Sequence, residues 1–420
     1  MRIKKFIFLI LVLFILIMNC NCFAVADTSG LNIHSPSAIL IDASTGKILY
    51  EKNANEKMYP ASTTKVLTAI LALENCELSD TTIVSYNAVM SIPNGYSHAN
   101  LQVGEELTIE QLLNILLIYS ANDAAVVLAE HVGGSVESFC TMLNTKALEL
   151  GCTNTNFVNP NGIHNENHYS TAYDLALMGK YAMKNETFRS IVYKTFYALP
   201  STNKYASNDR VFKTTNELLK EDTSSRPTNY YYKNAIGIKT GYTTPAKNCI
   251  IAGAARDNLE FIAVILGAEQ NSVGISYRYT DCKTLFDFAF DNYTVLKLKD
   301  KGSVLKQIQI PNGTLETKDL DLILDDSITV LVESKDMNKL MLPEITLSPD
   351  LKAPIKKDDI VGTITYVVDE TTYSTNLLAG NNVLESKFVT TFFKALLVIF
   401  IIYIAYISIK FIQKKKRRIY

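Results

Sequence analysis

Ser62 and Lys65 stand three residues apart in Ser62-Thr-Thr-Lys65, and their types and spacing suit covalent chemistry. On a helix, residues three apart share one face about a turn from each other. A serine hydroxyl is a weak nucleophile until a base stands beside it. A lysine serves as that base only when burial or a second cation lowers its pKa. Pro60, just upstream, suits the start of a helix, where free N–H groups and the positive dipole end favour the charge that grows on attack. Two further strings offer partners. Ser120-Ala-Asn122 places a second hydroxyl, able to relay a proton, beside an amide able to position Lys65 or a substrate carbonyl. Lys239-Thr240-Gly241 lies in an apolar, strand-like run, where a lysine is costly unless it faces a cleft. It offers the second cation, a hydroxyl donor and a glycine that admits a ligand backbone. That combination suits a carboxylate and a peptide laid along a strand edge. Each string alone has an ordinary reading: Ser62 as an N-cap, Ser120 or Asn122 at a helix break, Lys239 on an exposed edge.

The elements that must position these groups follow from local pattern. Ala38-Ile-Leu-Ile41 and Lys47-Ile-Leu-Tyr50, joined through Ala43-Ser-Thr-Gly46, predict a hairpin. Helical patterning covers residues 62–73, 123–132, 136–150 and 171–183. Thr108 and Gln111 form a capping-box string that opens another helix over 112–118, and Gly133-Gly134 closes the 123–132 run. Strands return over 235–242, 249–255 and 259–267, the last two joined at Asp257-Asn258. Residues 278–290 predict a closing helix. A hairpin and a later run of strands therefore bracket a helical middle. This predicts an α/β (α+β) domain over 33–292 with an antiparallel sheet flanked by helices. Residues 296–384 alternate without helical pattern and predict a small all-β domain.

The 420 residues carry a net charge of −1, which gives no hint of a nucleic-acid partner. Arg2, Lys4 and Lys5, the apolar run 6–18 and Ala24-Val25-Ala26 predict a signal peptide over 1–26. Ile17-Met18-Asn19 before Cys20 is a poor lipoprotein signal. Residues 395–409 hold no charge, and 388–412 reach bilayer length if Lys394 and Lys410 extend to the interfaces. A transmembrane helix is expected there, the alternative being a helix lying in the interface. The basic tail 413–420 then places the C-terminus in the cytoplasm and the catalytic part outside, at the cell membrane. Five cysteines, Cys76, Cys140, Cys152, Cys249 and Cys282, remain after the signal and form no disulfide framework. Cys76 and Cys249 read as small core residues. His164 and His168, four apart with Glu166 between them, miss the zinc-hydrolase string and sit in turn-like sequence. No metal or other cofactor is expected.

The order of the three strings, with their flanks, carries a resemblance. Tyr59-Pro-Ala-Ser-Thr-Thr-Lys65, Ser120-Ala-Asn-Asp-Ala124, His168-Tyr-Ser-Thr-Ala-Tyr-Asp174 and Lys239-Thr-Gly-Tyr-Thr243 resemble blocks of the penicillin-recognising serine enzymes. The chain is most similar to the low-molecular-mass penicillin-binding proteins, the D-alanyl-D-alanine carboxypeptidases, over about residues 33 to 290. The resemblance implies a β-lactamase/transpeptidase-like fold, with Ser62 as acylated nucleophile and Lys65 as its base. Ser120 and Asn122 would serve proton relay and substrate hold, and Lys239 and Thr240, beside Gly241, the terminal carboxylate. The Ser62 and Tyr242 N–H groups would form the oxyanion hole. Arg278 is a second carboxylate contact or else a surface arginine. The implied partners are a peptidoglycan stem peptide ending in D-Ala-D-Ala and β-lactam antibiotics as covalent inhibitors. Other readings are a class A-like β-lactamase, a D,D-endopeptidase and a non-catalytic wall-binding protein. The lactamase needs a Glu-x-x-Leu-Asn block between the second and third strings. Here Glu110-Gln-Leu-Leu-Asn114 precedes Ser120.

Overall fold

The computed structural model describes residues 30–207, 209–221, 228–338, 341–386 and 388–416. The expected signal over 1–26 and the final basic residues Arg417 and Arg418 lie outside these. The chain divides into one unit ending at Tyr293 and a second beginning at Thr294.

The first unit is built on a five-stranded sheet of order β2-β1-β9-β8-β7, antiparallel throughout. The hairpin β1 (Ser37–Asp42) and β2 (Ile48–Lys52) opens it. A one-turn 3₁₀ segment, Ala61–Thr64, then feeds α1 (Lys65–Asn75). The helical pattern expected from residue 62 is thus a tight 3₁₀ turn that relaxes into an α-helix at Lys65. Next come β3 (Thr81–Ile83), α2 (Tyr86–Met90), β4 (Glu106–Thr108) and α3 (Ile109–Asn114). Thr108 and Gln111 make the capping box in full. A π-helical turn, Ile115–Tyr119, follows, then α4 (Asn122–Gly133), α5 (Val136–Glu149), α6 (Ala172–Ala182) and α7 (Glu186–Val192). A small ribbon, β5 (Phe196–Leu199) with β6 (Arg210–Lys213), precedes the return to the sheet. There lie β7 (Ala235–Thr243), β8 (Lys247–Arg256) and β9 (Leu259–Ala268), closed by α8 (Tyr277–Asn292).

The period of two in β9 explains the layers. Ile262, Val264 and Leu266 face the large core, where α6 covers Ile251 and Ile262 at Gly179. Phe261 points the other way, onto Phe290 of α8 at 5.0 Å. Both faces are therefore covered, and the strands read as apolar runs rather than alternating ones. β7 is the outer strand, so among the described residues one edge of it has no sheet partner.

The second unit contains β10 (Tyr293–Lys299), β11 (Val304–Gln309), β12 (Asp319–Leu324), β13 (Ile328–Glu333), β14 (Glu344–Leu347), β15 (Ile360–Val368) and β16 (Thr371–Ala379). Five of these form an antiparallel sheet, β11-β12-β16-β15-β14, and β10 pairs β13. Its own core includes Leu320, Leu322, Val330, Ile364 and Leu377. The chain continues into α9 (Phe388–Lys416), within which 391–411 form an apolar stretch of 21 residues with every described side chain exposed. At 1.5 Å per residue that stretch is about 32 Å long, the thickness of a bilayer's hydrocarbon core.

Ile262 is fully buried between β9 and the helical layer. Ile262→Ala should lower unfolding stability by about 2–5 kcal/mol, read as a shifted denaturant midpoint. An unchanged midpoint would contradict this packing.

Candidate active site

Lys65 begins α1 one residue after the 3₁₀ turn that holds Ser62, and its side chain is wholly buried. Its ammonium donates to Ser62 Oγ at 2.8 Å, to Asn122 Oδ1 at 2.7 Å and to the Asn161 carbonyl at 2.7 Å. Burial pushes its pKa well below that of an ordinary lysine. The Lys239 charge pushes the same way, and Asp123 opposes both. Three neutral acceptors hold the ammonium in place but do not repay the loss of water around a charge.

The turn carrying Ser62 is clamped from two sides. Gly241 of β7 approaches so closely that a Cβ there would lie 3.0 Å from both Pro60 O and Ser62 N. Gly162 has a φ of +80°, and a Cβ on it would lie 1.9 Å from the Ala61 carbonyl oxygen. Beneath the turn, the Val158 N–H donates to His168 Nδ1 at 3.1 Å. This places the ring proton on Nε2, which donates to Thr64 Oγ1 at 2.9 Å. Thr64 in turn donates to the Ala61 carbonyl at 2.9 Å. Burial, then the charges of Lys65 and His164, hold the His168 pKa down at about 3, so the ring stays neutral. His168 is thus part of the scaffold under Ser62.

Ser120 follows the π-helical turn in a left-handed conformation, with φ 71° and ψ 31°. This kink brings its side chain into the cleft while Asn122 starts α4. Asn122 is oriented by donating Nδ2–H to the Ser97 carbonyl at 2.8 Å, which turns Oδ1 toward Lys65. The loop bearing Ser97 is fastened by the buried Asp123 carboxylate, which accepts from the Ala99 and Leu101 N–H groups.

Lys239 is almost fully buried on β7, and its ammonium donates to the Thr240 carbonyl at 2.9 Å. The next residues along the strand, Thr240, Gly241 and Tyr242, line the cleft, and the Lys239 charge is near enough to act on Lys65. Burial, with the nearby Arg278 charge adding to it, brings the Lys239 pKa down to about 7. Thr240 Oγ1 shares a 2.5 Å hydrogen bond with Thr215 Oγ1. Arg278, in the first turn of α8, donates Nη1–H to the Gly241 carbonyl at 3.1 Å and also lines the cleft. It is not the surface arginine that the sequence left open.

These groups surround a cleft of about 430 Å³ that brings Ser62, Ser120, Asn122, Thr215, Thr240 and Arg278 to one opening. A larger hollow of about 990 Å³ lies elsewhere, lined by residues such as Tyr193, Lys213 and Ala235. A hydroxyl held by a buried, readily deprotonated amine, beside a basic strand edge, is equipped for acyl transfer from a substrate with a terminal carboxylate.

Residues 24–270, more than half of the chain, match the D-alanyl-D-alanine carboxypeptidase family. The chain belongs to that family. Residues 293–385 match the C-terminal domain of penicillin-binding protein 5. The D-alanyl-D-alanine carboxypeptidase DacF of Bacillus subtilis is 33% identical over 87% of this chain and 90% of its own length. DacC of Escherichia coli is 29% identical over 78% of each. Among solved structures, a D-alanyl-D-alanine carboxypeptidase of Mycobacterium tuberculosis has a TM-score of 0.54 at 30% identity, over 61% of this chain and 91% of its own. The fold is also that of PBP3, a peptidoglycan synthesis regulatory factor of Streptococcus pneumoniae. There the TM-score is 0.71 at 23% identity, over 84% of this chain and 100% of that one.

The carboxypeptidase-type cleft uses residues that sequence reasoning missed. Asn161 accepts from Lys65 through its backbone, so its side-chain type gave no signal beyond the turn string Asn159-Pro-Asn-Gly162. Ser97 acts through its carbonyl, and Thr215 meets Thr240 across a gap of 25 residues. Gly162→Ala should destabilise the protein by about 2 kcal/mol or more and slow acylation of Ser62 by fluorescent penicillin. A variant as stable and as quickly labelled as wild type would contradict the clamp on the Ser62 turn.

Proposed function

We propose that this protein is a serine D-Ala-D-Ala carboxypeptidase acting through an acyl-enzyme on Ser62. The observation that carries the reading is the buried Lys65 ammonium at 2.8 Å from Ser62 Oγ, with its pKa depressed. Ser62 Oγ attacks the carbonyl of the penultimate D-Ala in a stem pentapeptide, and Lys65 takes the hydroxyl proton. The Ser62 and Tyr242 N–H groups receive the oxyanion. The C–N bond breaks, a proton passes to the leaving amine by way of Ser120, and the terminal D-Ala departs. Water then attacks the ester, restoring Ser62 and releasing the tetrapeptide. Lys239, Thr240 and Arg278 hold the terminal carboxylate, and Asn122 holds Lys65 and the substrate backbone. A β-lactam, with a carboxylate and a strained amide in similar positions, acylates the same serine. The outer edge of β7 suits a peptide laid alongside it.

In this reading α9 anchors the enzyme in the cell membrane, with the catalytic unit outside and the basic tail inside. The apolar length of 391–411 and the lysines and arginines beyond it support this topology. The unit spans 33–292 and the β domain 296–384 in this reading.

The test is D-Ala release from a D-Ala-D-Ala pentapeptide by the purified full chain in detergent. Release with crosslinked dimers left intact is expected, and Ser62→Ala should lose both release and penicillin labelling. Rapid penicillin hydrolysis with the pentapeptide untouched would overturn the assignment in favour of a lactamase.

The pH profile gives a second test. Lys239 binds a carboxylate best while protonated, and its pKa is lowered to about 7. kcat/KM, which reports the free enzyme, should therefore fall as pH rises through about 7. Arg278→Gln removes a charge that disfavours protonated Lys239, so this limb should move to higher pH, although KM rises. A limb that stays put or moves down would exclude Lys239 as its source.

A further inference from the structure

Cys76 caps the C-terminus of α1, and His131 lies in the last turn of α4. Asp80 lies in the short loop after Cys76. One donor atom from each of the three, a thiol sulfur, a carboxylate oxygen and an imidazole nitrogen, lie within 4.8 Å of one another. Cys76, which the sequence suggested as a core residue, is only half-buried, whereas Cys140, Cys152, Cys249 and Cys282 are buried. The loop between is held firmly. The Ile109 N–H donates to the Asp80 carbonyl at 2.9 Å and the Glu110 N–H to the Leu78 carbonyl at 3.0 Å. One Asp80 oxygen, Oδ2, accepts from the Glu77 N–H at 2.9 Å, which leaves Oδ1 directed elsewhere.

We propose that Cys76, Asp80 and His131 form a binding site for a borderline-soft divalent cation of the Zn²⁺ class. The donor set is that of tetrahedral zinc with water in the fourth position. Donors on such an ion lie about 3.5 Å apart, so closing the site takes about an ångström of movement. Asp80 and His131 are both exposed enough to supply it by side-chain rotation. The charges balance: binding releases the Cys76 thiol proton, and thiolate plus carboxylate neutralise the dication. The C-terminal ends of α1 and α4 both meet there, and their partial negative charge also favours a cation.

The position gives the ion a structural consequence. α1 begins with Lys65 and α4 with Asn122, which share a 2.7 Å hydrogen bond. The cation would tie together the opposite ends of the same two helices, about 16 Å away along α1. It would fix their relative slide without entering the cleft.

The test is titration of the full chain in detergent with Co²⁺, a spectroscopic stand-in for Zn²⁺. A thiolate-to-cobalt charge-transfer band saturating at one ion per chain, together with visible bands of tetrahedral intensity, is expected. Zn²⁺ should displace it. Cys76→Ser and His131→Gln should each abolish the band while leaving penicillin labelling of Ser62 unchanged, which verifies that both variants are folded. Absence of the band in wild type, or its survival in either variant, would overturn the proposal.

Discussion

The structure depends on the burial of one ammonium group. Lys65 gives up water entirely and receives three neutral acceptors in exchange, from three separate parts of the chain. Among the described residues no carboxylate touches it. Asp123 acts only at a distance, and its own charge is disfavoured by burial. A carboxylate partner would have locked the proton on; three oxygen dipoles hold it less firmly. The cost of that arrangement is met by the large shared core, in which α1 is buried along most of its length between α4, α5, α6 and the sheet.

Holding neutral acceptors at these distances requires backbone in unusual places. Ala61, Ser120 and Ile238 have φ values of 49°, 71° and 110°, all in the region that favours glycine. Each is next to, or is, a residue of the cleft: Ser62, Ser120 and Lys239. Ile238 is β-branched and follows the register shift at the start of β7. Such residues cost on the order of 1–3 kcal/mol each. The surroundings enforce them: Gly162, Gly241 and the His168–Thr64 chain grip the first, and the close of the π-helical turn leads into the second.

The sheet, its antiparallel order and most helices of the first unit were legible because apolar period and turn chemistry agree there. The Asp257-Asn258 hairpin, the Thr108 capping box and the glycine stop after α4 are local signals, and each formed where it was read. The short elements β3, α2, β5 and β6 were not legible, since three to five residues with exposed faces carry no period. The side chains gathered at Lys65 and the cleft were visible in the sequence: Ser62, Lys65, Ser120, Asn122, Thr240. Groups acting through the backbone, Asn161 and Ser97, were not, because any residue type supplies a carbonyl. Lys239 was visible too, but its hydrogen bond to the Thr240 carbonyl was not, for the same reason.

The Lys65 network also has a direction. As an ammonium, Lys65 has three N–H donors and three acceptors to meet them. As a neutral amine it has two N–H groups and one lone pair. The Asn161 carbonyl is an acceptor only, and Asn122 presents its oxygen because its Nδ2 is engaged with the Ser97 carbonyl. Neither has a proton to offer a lone pair. Ser62 is the one partner of the three whose oxygen also bears a hydrogen. Loss of the Lys65 proton therefore leaves a single arrangement with every group satisfied: two N–H bonds kept and the lone pair facing the Ser62 hydroxyl. The amine is aimed at the Ser62 hydroxyl by elimination, with no heavy atom having to move.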